Sequence, residues 1–407
     1  MEKKSLLKRI AAIAASAFLV FARSETQALG APLQEQKTPV QNELNMDNAE
    51  LEALGSHYSD LGIVGEDMLS LEDILHTKVS GEICDTMVPQ GLTEVDDLFL
   101  VTAYDGIHDY KKELKLYSYD SKYKEKLEVE SNHKPHNSVI YAFDKNTKKL
   151  LATMELEDRN HVGGIAADDK NVYIAKSKDK KVSVISLDKI KEAAEAGRKA
   201  GNDVRKIKYD RELDCDGVAS FITTRQDVDG KYQLAVGTWS LNSKESKIRL
   251  YDMEENGNIS LNQEIPIQES ANGAEFVRRA GQEYLLVSTS YGRTFSSRLF
   301  VNQVYKNING MLQTNEKTSI ELPPMAEEVV AYTGKNGDMK IAIGTESLSN
   351  RYEIGRPKIY SKGIVMADLG RLVNMPNKNL PRTPDKPGIP TSDEIRRRED
   401  DGKGIEI

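Results

Sequence analysis

A motif that recurs five times between residues 89 and 368 constrains the fold of this 407-residue chain more than any other feature. Each copy begins with Gly or a small residue and continues into three short apolar segments, the third of which ends near an Asp. With Gly91, Gly164, Gly217, Gly273 and Glu328 taken as equivalent, successive copies are 73, 53, 56 and 55 residues apart. A period near fifty residues with about four short strands is typical of a propeller blade. We therefore predict an all-β fold, a five-bladed β-propeller of four-stranded antiparallel blades.

The spacing also locates the insertions and the closure of the ring. Residues 138–143 and 181–185 alternate apolar and polar side chains, which favours strands over helices. The long first step comes from an insertion at 106–135, and an Ala-rich insertion at 188–202 predicts a helix. The last copy runs out of strands near Leu369, so its outer edge needs a strand from elsewhere. We expect an N-terminal strand, residues 78–83, to close the ring there.

The two ends of the chain differ in composition from the repeats. Basic residues within 1–9, an apolar run at 10–22 and small residues near Gly30 are the parts of a bacterial-type signal peptide. We expect cleavage after Gly30, with Ala22 as the second site and a membrane anchor as the alternative. The zone lacks Cys, which argues against a lipoprotein. The predicted organisation is a signal peptide at 1–30, a flexible leader with short helices at 31–77, the propeller at 78–372 and a disordered Pro-rich and charged tail at 373–407.

Charge and hydropathy restrict the classes of partner that this chain can bind. Acidic residues outnumber basic ones by 64 to 56, for a net charge of −8, and a basic surface is what nucleic acid requires. No apolar run after the signal peptide is long enough to cross a bilayer. We expect a secreted, extracellular protein that has neither a nucleic-acid partner nor an integral membrane segment after cleavage.

Propeller geometry brings the start of each first strand and the end of each second strand to one mouth of the central channel. Polar and aromatic residues occupy those positions in every copy. The predicted ligand-binding residues are Gln90, Tyr104, Asp105, His161, Asp216, Trp239, Asn272, Tyr291, Arg293, Glu327 and Glu346. The second copy has only Gly163 at the inner position, with His161 offset by two residues, so the ring is lopsided.

These residue types fit a binding site for a small polar ligand, a carbohydrate or a peptide, with the aromatic rings as stacking faces. One alternative is a secreted hydrolase, glycosidase-like or lactonase-like, with Asp216, Glu327 and Glu346 as catalytic candidates. Asp105 and these three carboxylates would also suit Ca²⁺, although no cofactor is required. Another alternative is that the side chains only satisfy unpaired strand ends. The absence of a Gly-x-Ser-x-Gly, His-Glu-x-x-His or P-loop motif favours binding and leaves enzymatic activity open.

The remaining reactive side chains are few. Cys84 and Cys215 are the only cysteines, and their expected places near the same face favour a disulfide in an exported chain. They belong to copies one and three, so two free thiols are the alternative. His133, His136 and His161 could form a metal cluster, but their spacing is irregular for one.

Several segments resemble a family of secreted bacterial propeller proteins that mostly lack an assigned activity. They are residues 89–91, 102–105, 137–141, 161–166, 288–293 and 323–327. The resemblance covers about residues 80–370 and implies the fold rather than an activity. More distantly, the chain is similar to the lactonase and β-propeller repeat proteins, whose acidic ring it matches only in part because Gly163 replaces a ligand.

Overall fold

The computed structural model describes most of the repeat region and parts of the segments around it. The described residues are 48–63, 69–70, 78–79, 81–116, 121, 124–125, 134–177, 179–293, 295–347, 349–352, 360–361 and 363–376. The expected signal peptide, the first part of the leader, most of the tail and His133 lie outside them. Within the described part of the chain, no helix combines the length and apolar character needed to cross a bilayer.

Five antiparallel sheets form the blades, in which strands are numbered in chain order and named from the innermost strand outward. Blade 1 comprises β4 (Met87–Val95), β5 (Leu98–Asp105), β6 (Val139–Asp144) and β7 (Leu150–Glu155). Blade 2 comprises β8 (Gly164–Ala167), β9 (Asn171–Lys176), β10 (Lys181–Ser186) and β12 (Arg211–Asp214). Blade 3 comprises β13 (Phe221–Gln226), β14 (Tyr232–Thr238), β15 (Lys247–Met253) and β16 (Ile259–Pro266). Blade 4 comprises β17 (Ala271–Arg279), β18 (Gln282–Thr289), β19 (Ser297–Lys306) and β20 (Leu312–Leu322). Blade 5 comprises β21 (Ala326–Thr333), β22 (Met339–Thr345), β23 (Gly363–Asp368) and β1 (Leu69–Ser70).

The innermost strands lie side by side in a closed ring, β4 beside β8, β8 beside β13, and so on until β21 returns to β4. This confirms the predicted five-bladed propeller. Glycines allow the innermost strands to approach closely: a Cβ on Gly91 would lie 2.5 Å from the backbone nitrogen of Ile165, and one on Gly164 would lie 2.6 Å from that of Ile222. The Gly that opens the repeat is therefore required by contact between blades.

An N-terminal strand closes the ring, as predicted, but it is a different segment from the expected one. The short strand β1 pairs antiparallel with β23, Leu69 opposite Ile364 and Ser70 opposite Gly363, and Ile63 bridges to Ala367. Residues 78–83 instead form a hairpin of β2 (Lys78–Val79) and β3 (Glu82–Ile83). Gly81, with φ of 87°, makes the turn that pairs these strands with each other.

Helices pack outside the blades. Helix α1 (Asn48–His57) and the residues after it bury Leu54, Tyr58 and Leu61 against the core between blades 4 and 5, so packing reaches well upstream of residue 78. Helix α2 (Ile107–Leu116) lies in the first insertion. Helix α3 (Leu187–Ala200) confirms the predicted helical insertion, and helix α4 (Leu369–Asn374) follows the last strand, capped by the Asp368 carboxylate.

Blade 1 has a fifth strand that the repeat pattern does not predict. After α3, strand β11 (Asp203–Lys206) pairs in parallel with β7 of blade 1, and only then does the chain return to form β12 of blade 2. The sheet of blade 1 is therefore extended at its outer edge by the chain that builds blade 2.

Substitution of two helix glycines, one in α3 and one in α1, tests how closely α3 packs on blade 1. Gly197 faces β7, where an added Cβ would lie 1.8 Å from the carbonyl oxygen of Leu151, whereas a Cβ on Gly55 of α1 would meet nothing within 4 Å. Gly197→Ala should therefore lower the free energy of unfolding by about 2–3 kcal/mol through overpacking. Gly55→Ala, the matched control, should raise it by about 0.5–1 kcal/mol. Denaturant titration of both variants checks this, and equal stabilisation by both would contradict the contact.

Candidate functional site

Side chains from blades 1, 4 and 5 meet at one mouth of the channel. Gln90 donates through Nε2 to the carbonyl oxygen of Pro89, 2.7 Å away, and to Glu346 of blade 5. Asn272 of blade 4 donates through Nδ2 to Glu327 Oε1 of blade 5, at 2.9 Å. Residues up to 256 positions apart in the chain thus form one polar cluster, which we call the mouth cluster.

A short 3₁₀ turn, Asn350–Tyr352, adds two residues that the sequence analysis missed. Arg351 donates to the hydroxyl of Tyr104, and its Nη2 lies 3.2 Å from a carboxylate oxygen of Asp109 on α2. The guanidinium groups of Arg351 and Arg293 lie 4.9 and 4.7 Å from the ring centre of Tyr352. The missed residues belong to a loop beyond the end of β22, whereas the predicted set was restricted to strand ends. In the sequence, the one sign of these two residues is that an Arg and a Tyr stand next to each other in that loop.

The two glutamates of the mouth cluster influence each other's protonation. Burial raises the pKa of Glu327 well above its ordinary value, and the negative charge of Glu346 raises it further. Burial also raises the pKa of Glu346, but Arg351 opposes this shift, as do hydrogen bonds from Tyr352 and Gln90. Since Arg351 opposes the effect of burial more strongly at Glu346 than at Glu327, Glu346 is the more acidic of the two carboxyls.

An aromatic wall borders the cluster. The rings of Tyr104 and His161 lie 4.6 Å apart between centroids and are tilted by 32°. Two buried polar atoms of the cluster, Gln90 Oε1 and Arg351 Nε, have no hydrogen-bond partner among the described residues. The cluster thus contains an acceptor and a donor that are both unused, and buried polar groups of this kind are normally satisfied.

The predicted residues of blade 3 make contacts within their own blade. Asp216 is exposed, and its backbone N–H donates to the Tyr251 hydroxyl at 3.0 Å. Trp239 is 41% exposed, with its backbone N–H bonded to Ser220 Oγ. For Asp216 the reason is a shift in register: the innermost strand of blade 3 begins at Phe221, whereas the repeat comparison placed its start at residue 215. Trp239 directly follows β14, where the repeat predicts it.

Asp105 and Tyr291 have contacts of their own. The Asp105 carboxylate accepts bonds from Thr86 Oγ1 at 2.5 Å, the backbone N–H of Ile107 at 2.9 Å and that of His136 at 2.7 Å. Tyr291 lies beside Phe295, with 6.4 Å between ring centroids. Of the four carboxylates named for Ca²⁺, Glu327 and Glu346 influence each other directly, and Arg351 acts on both.

The expected disulfide is absent, because Cys84 and Cys215 are both free thiols. Cys84 is fully buried in the core between blades 1 and 5, whereas Cys215 packs against the core between blades 2 and 3. Blades 1 and 3 are not neighbours in the ring, so the two sulfurs are held in separate cores. Burial raises the pKa of each thiol to about 12, which makes both poor nucleophiles.

Comparison with known proteins assigns no family and no activity to this chain. No protein family model matches the chain, and no curated protein matches its sequence. Among solved structures, the chain is similar to a protein of unknown function from Bacteroides caccae, with 17% identity and a TM-score of 0.29. That similarity covers 51% of this chain and 61% of the other, so it spans less than two thirds of that protein's length.

Proposed function

We propose that this protein binds a small polar ligand, a carbohydrate in preference to a peptide, in the mouth cluster. The observation that carries the proposal is the pair of buried, unsatisfied atoms Gln90 Oε1 and Arg351 Nε in a cluster bordered by the rings of Tyr104 and His161, the first of which contacts Arg351. A sugar offers hydroxyl groups that both donate and accept hydrogen bonds, and an apolar ring face that packs on aromatic rings. A β-propeller supplies a rigid frame for such a site, since three blades fix the side chains.

Export forms part of this proposal. The basic, apolar and small-residue segments of residues 1–30 support secretion after cleavage, and the ligand would then be extracellular. N-terminal sequencing of the mature protein checks the cleavage site, and an uncleaved, cell-retained chain would contradict secretion.

A hydrolase acting on the same ligand is the second candidate, because Glu327 and Glu346 differ in environment. Two carboxyls of different acidity are the pair that glycoside hydrolysis uses. Glu327, the less acidic carboxyl, would donate the proton to the leaving-group oxygen, and Glu346, whose negative charge Arg351 favours, would serve as base or nucleophile. Asp216 has no part in this version, since it lies in the separate contacts of blade 3.

An array of mono- and oligosaccharides and short peptides tests both candidates. The wild-type protein should retain particular sugars, and Glu346→Gln should weaken their binding at least tenfold by removing the charge that orients Arg351 and Gln90. Trp239→Ala is the matched control: it removes an exposed aromatic ring outside the cluster and should leave binding unchanged.

Hydrolysis of the retained sugars separates the two functions. If the site is catalytic, Glu327→Gln should reduce turnover by about 10²–10⁴-fold while binding persists. If it is a binding site alone, no turnover will be found in either protein. Retention of peptides but not of sugars would overturn the preference for carbohydrate, and unchanged binding by Glu346→Gln would place the site elsewhere.

A further inference from the structure

A second group of reactive side chains lies at the base of the first insertion. Cys84 follows β3, Asp105 ends β5, and His136 lies in the segment that leads into β6. One ligand atom from each, a sulfur, a carboxylate oxygen and an imidazole nitrogen, lies within 4.8 Å of the other two. Cys84 is fully buried and His136 is 8% exposed, so the group is shielded from bulk solvent.

We propose that Cys84, Asp105 and His136 bind a zinc ion. Thiolate, imidazole and carboxylate are the three donor types that zinc takes from proteins, and three such ligands leave one position for water or another group. Zinc–ligand bonds of about 2.0–2.3 Å place tetrahedral ligands roughly 3.3–3.6 Å apart. The observed group needs only a small contraction to reach that spacing. Binding releases the Cys84 proton to solvent as the Zn–S bond forms.

The surroundings already orient two of the ligands. Hydrogen bonds from Thr86 Oγ1 and from the backbone N–H groups of Ile107 and His136 orient the Asp105 carboxylate. Nε2 of His136 lies 4.0 Å from a carboxylate oxygen of Glu82. A carboxylate near a ligating imidazole is the usual outer partner in zinc sites, where it holds the ring in place.

The positions of the ligands indicate what the metal would do. Asp105 and His136 immediately flank the insertion at 106–135, so a shared ion would fasten its two ends together. Helix α2 begins two residues after Asp105, and its Asp109 contacts Arg351 of the mouth cluster. A metal bound by Cys84, Asp105 and His136 would therefore stabilise the position of α2, and with it the Asp109–Arg351 contact, without itself contacting the ligand of the mouth cluster.

Zinc content of the purified full-length protein tests the proposal, and Cys215→Ser is the matched control because the second cysteine lies in another core. After exposure to Zn²⁺ and dialysis, wild type and Cys215→Ser should each hold one zinc per chain. Cys84→Ser and His136→Asn should each bind zinc at least tenfold more weakly. Loading with Co²⁺ gives an independent readout, since a sulfur-to-cobalt absorption band should appear in the wild type and Cys215→Ser and be missing in Cys84→Ser.

Two results would overturn the zinc site. One is wild-type zinc content no higher than that of Cys84→Ser and His136→Asn. The other is a cobalt spectrum without sulfur ligation in the folded wild-type protein, which decides the matter even if Cys84→Ser fails to fold. The mouth cluster is tested by sugar binding, so failure of one proposal does not decide the other.

Discussion

Glu275→Gln should stabilise the propeller by about 2–4 kcal/mol at pH 9 and leave its stability near pH 4 almost unchanged. Glu275 lies on the innermost strand β17, where its Oε2 accepts a hydrogen bond from Thr223 of β13 at 2.6 Å. Burial raises its pKa to about 8 from an ordinary value of 4.5, and the Thr223 bond offsets only part of this change. Gln keeps the shape and the hydrogen bonds but cannot ionise.

The direction of the pH effect follows from proton binding. Between pH 4.5 and 8, folded Glu275 keeps a proton that the unfolded chain has released. Stability from this group is thus fully present below the unfolded pKa and is lost as the pH rises through the folded pKa. A tenfold change in proton affinity between the folded and unfolded chain corresponds to about 1.4 kcal/mol, and partial access of water from the channel reduces the total.

Unfolding in denaturant at pH 4, 7 and 9 measures the difference between variant and wild type. Glu264→Gln is the control, because a hydrogen bond from Lys247 lowers the pKa of Glu264 and its side chain is 41% exposed. That substitution should have a small effect of opposite sign. A wild-type-to-variant difference for Glu275 that does not grow with pH would contradict the raised pKa.

Arg225→Met should cost about 3–5 kcal/mol, the largest loss that we expect from a single substitution. The guanidinium of Arg225 is 4% exposed and binds Glu283 of blade 4 through two bonds, Nε–Oε1 of 2.9 Å and Nη2–Oε2 of 2.8 Å. Gln233 accepts a third bond at 2.6 Å. Removal of the cation leaves the Glu283 carboxylate, which is 14% exposed, with only the longer contact to the Arg278 guanidinium, 3.6 Å away. Loss of one partner in this way is more costly than loss of the pair as a whole.

A double-mutant cycle checks this account. Arg225→Met combined with Glu283→Leu should recover much of the stability lost in the single variant, since the charge that then loses its partner, Arg278, is 39% exposed and remains hydrated. Lys189→Met is the control: its ion pair with Asp210 has both side chains at least 40% exposed and should contribute no more than about 1 kcal/mol. A loss in Arg225→Met no larger than in this control would show that blades 3 and 4 do not depend on the buried pair.

Buried carboxyl groups accept hydrogen bonds from backbone N–H groups of the innermost strands. An innermost strand has no partner on its channel side, so some of its N–H groups need other acceptors. Glu328 supplies one: its Oε1 accepts from the N–H of Ala274 on the neighbouring blade at 2.9 Å. Burial raises the pKa of Glu328, as it does that of Glu275. The Glu328 carboxyl lies in the ring because it satisfies a backbone donor there.

The sequence predicted the blades well because the repeat has a steric cause. Gly91 and Gly164 recur where one innermost strand touches the next, and no side chain fits there. Gly217 was misleading, since a Cβ on it would meet the Arg249 side chain of the same blade rather than a neighbouring strand. That mismatch placed the start of blade 3 too early and brought Asp216 into the predicted site.

The mouth cluster was predictable only where it rests on strand ends. Gln90, Asn272, Glu327 and Glu346 were found because the repeat fixes their places, and hydrogen bonds join them in two pairs. Arg351 reaches the cluster through a loop whose path depends on tertiary contacts. The closing strand β1 was missed for a similar reason, since two residues carry too little pattern to be distinguished from a loop.

Strand β11, which precedes the last strand of blade 2 but pairs with blade 1, limits how blades of this propeller can be duplicated or deleted in evolution. Propellers gain and lose blades by duplication or deletion of whole repeats, which requires each repeat to be self-contained. Here β11 lies in the sheet of blade 1 although it is encoded within the repeat of blade 2. Deletion of that repeat would also remove the outermost strand of blade 1, so we expect the first two blades to be gained or lost only together.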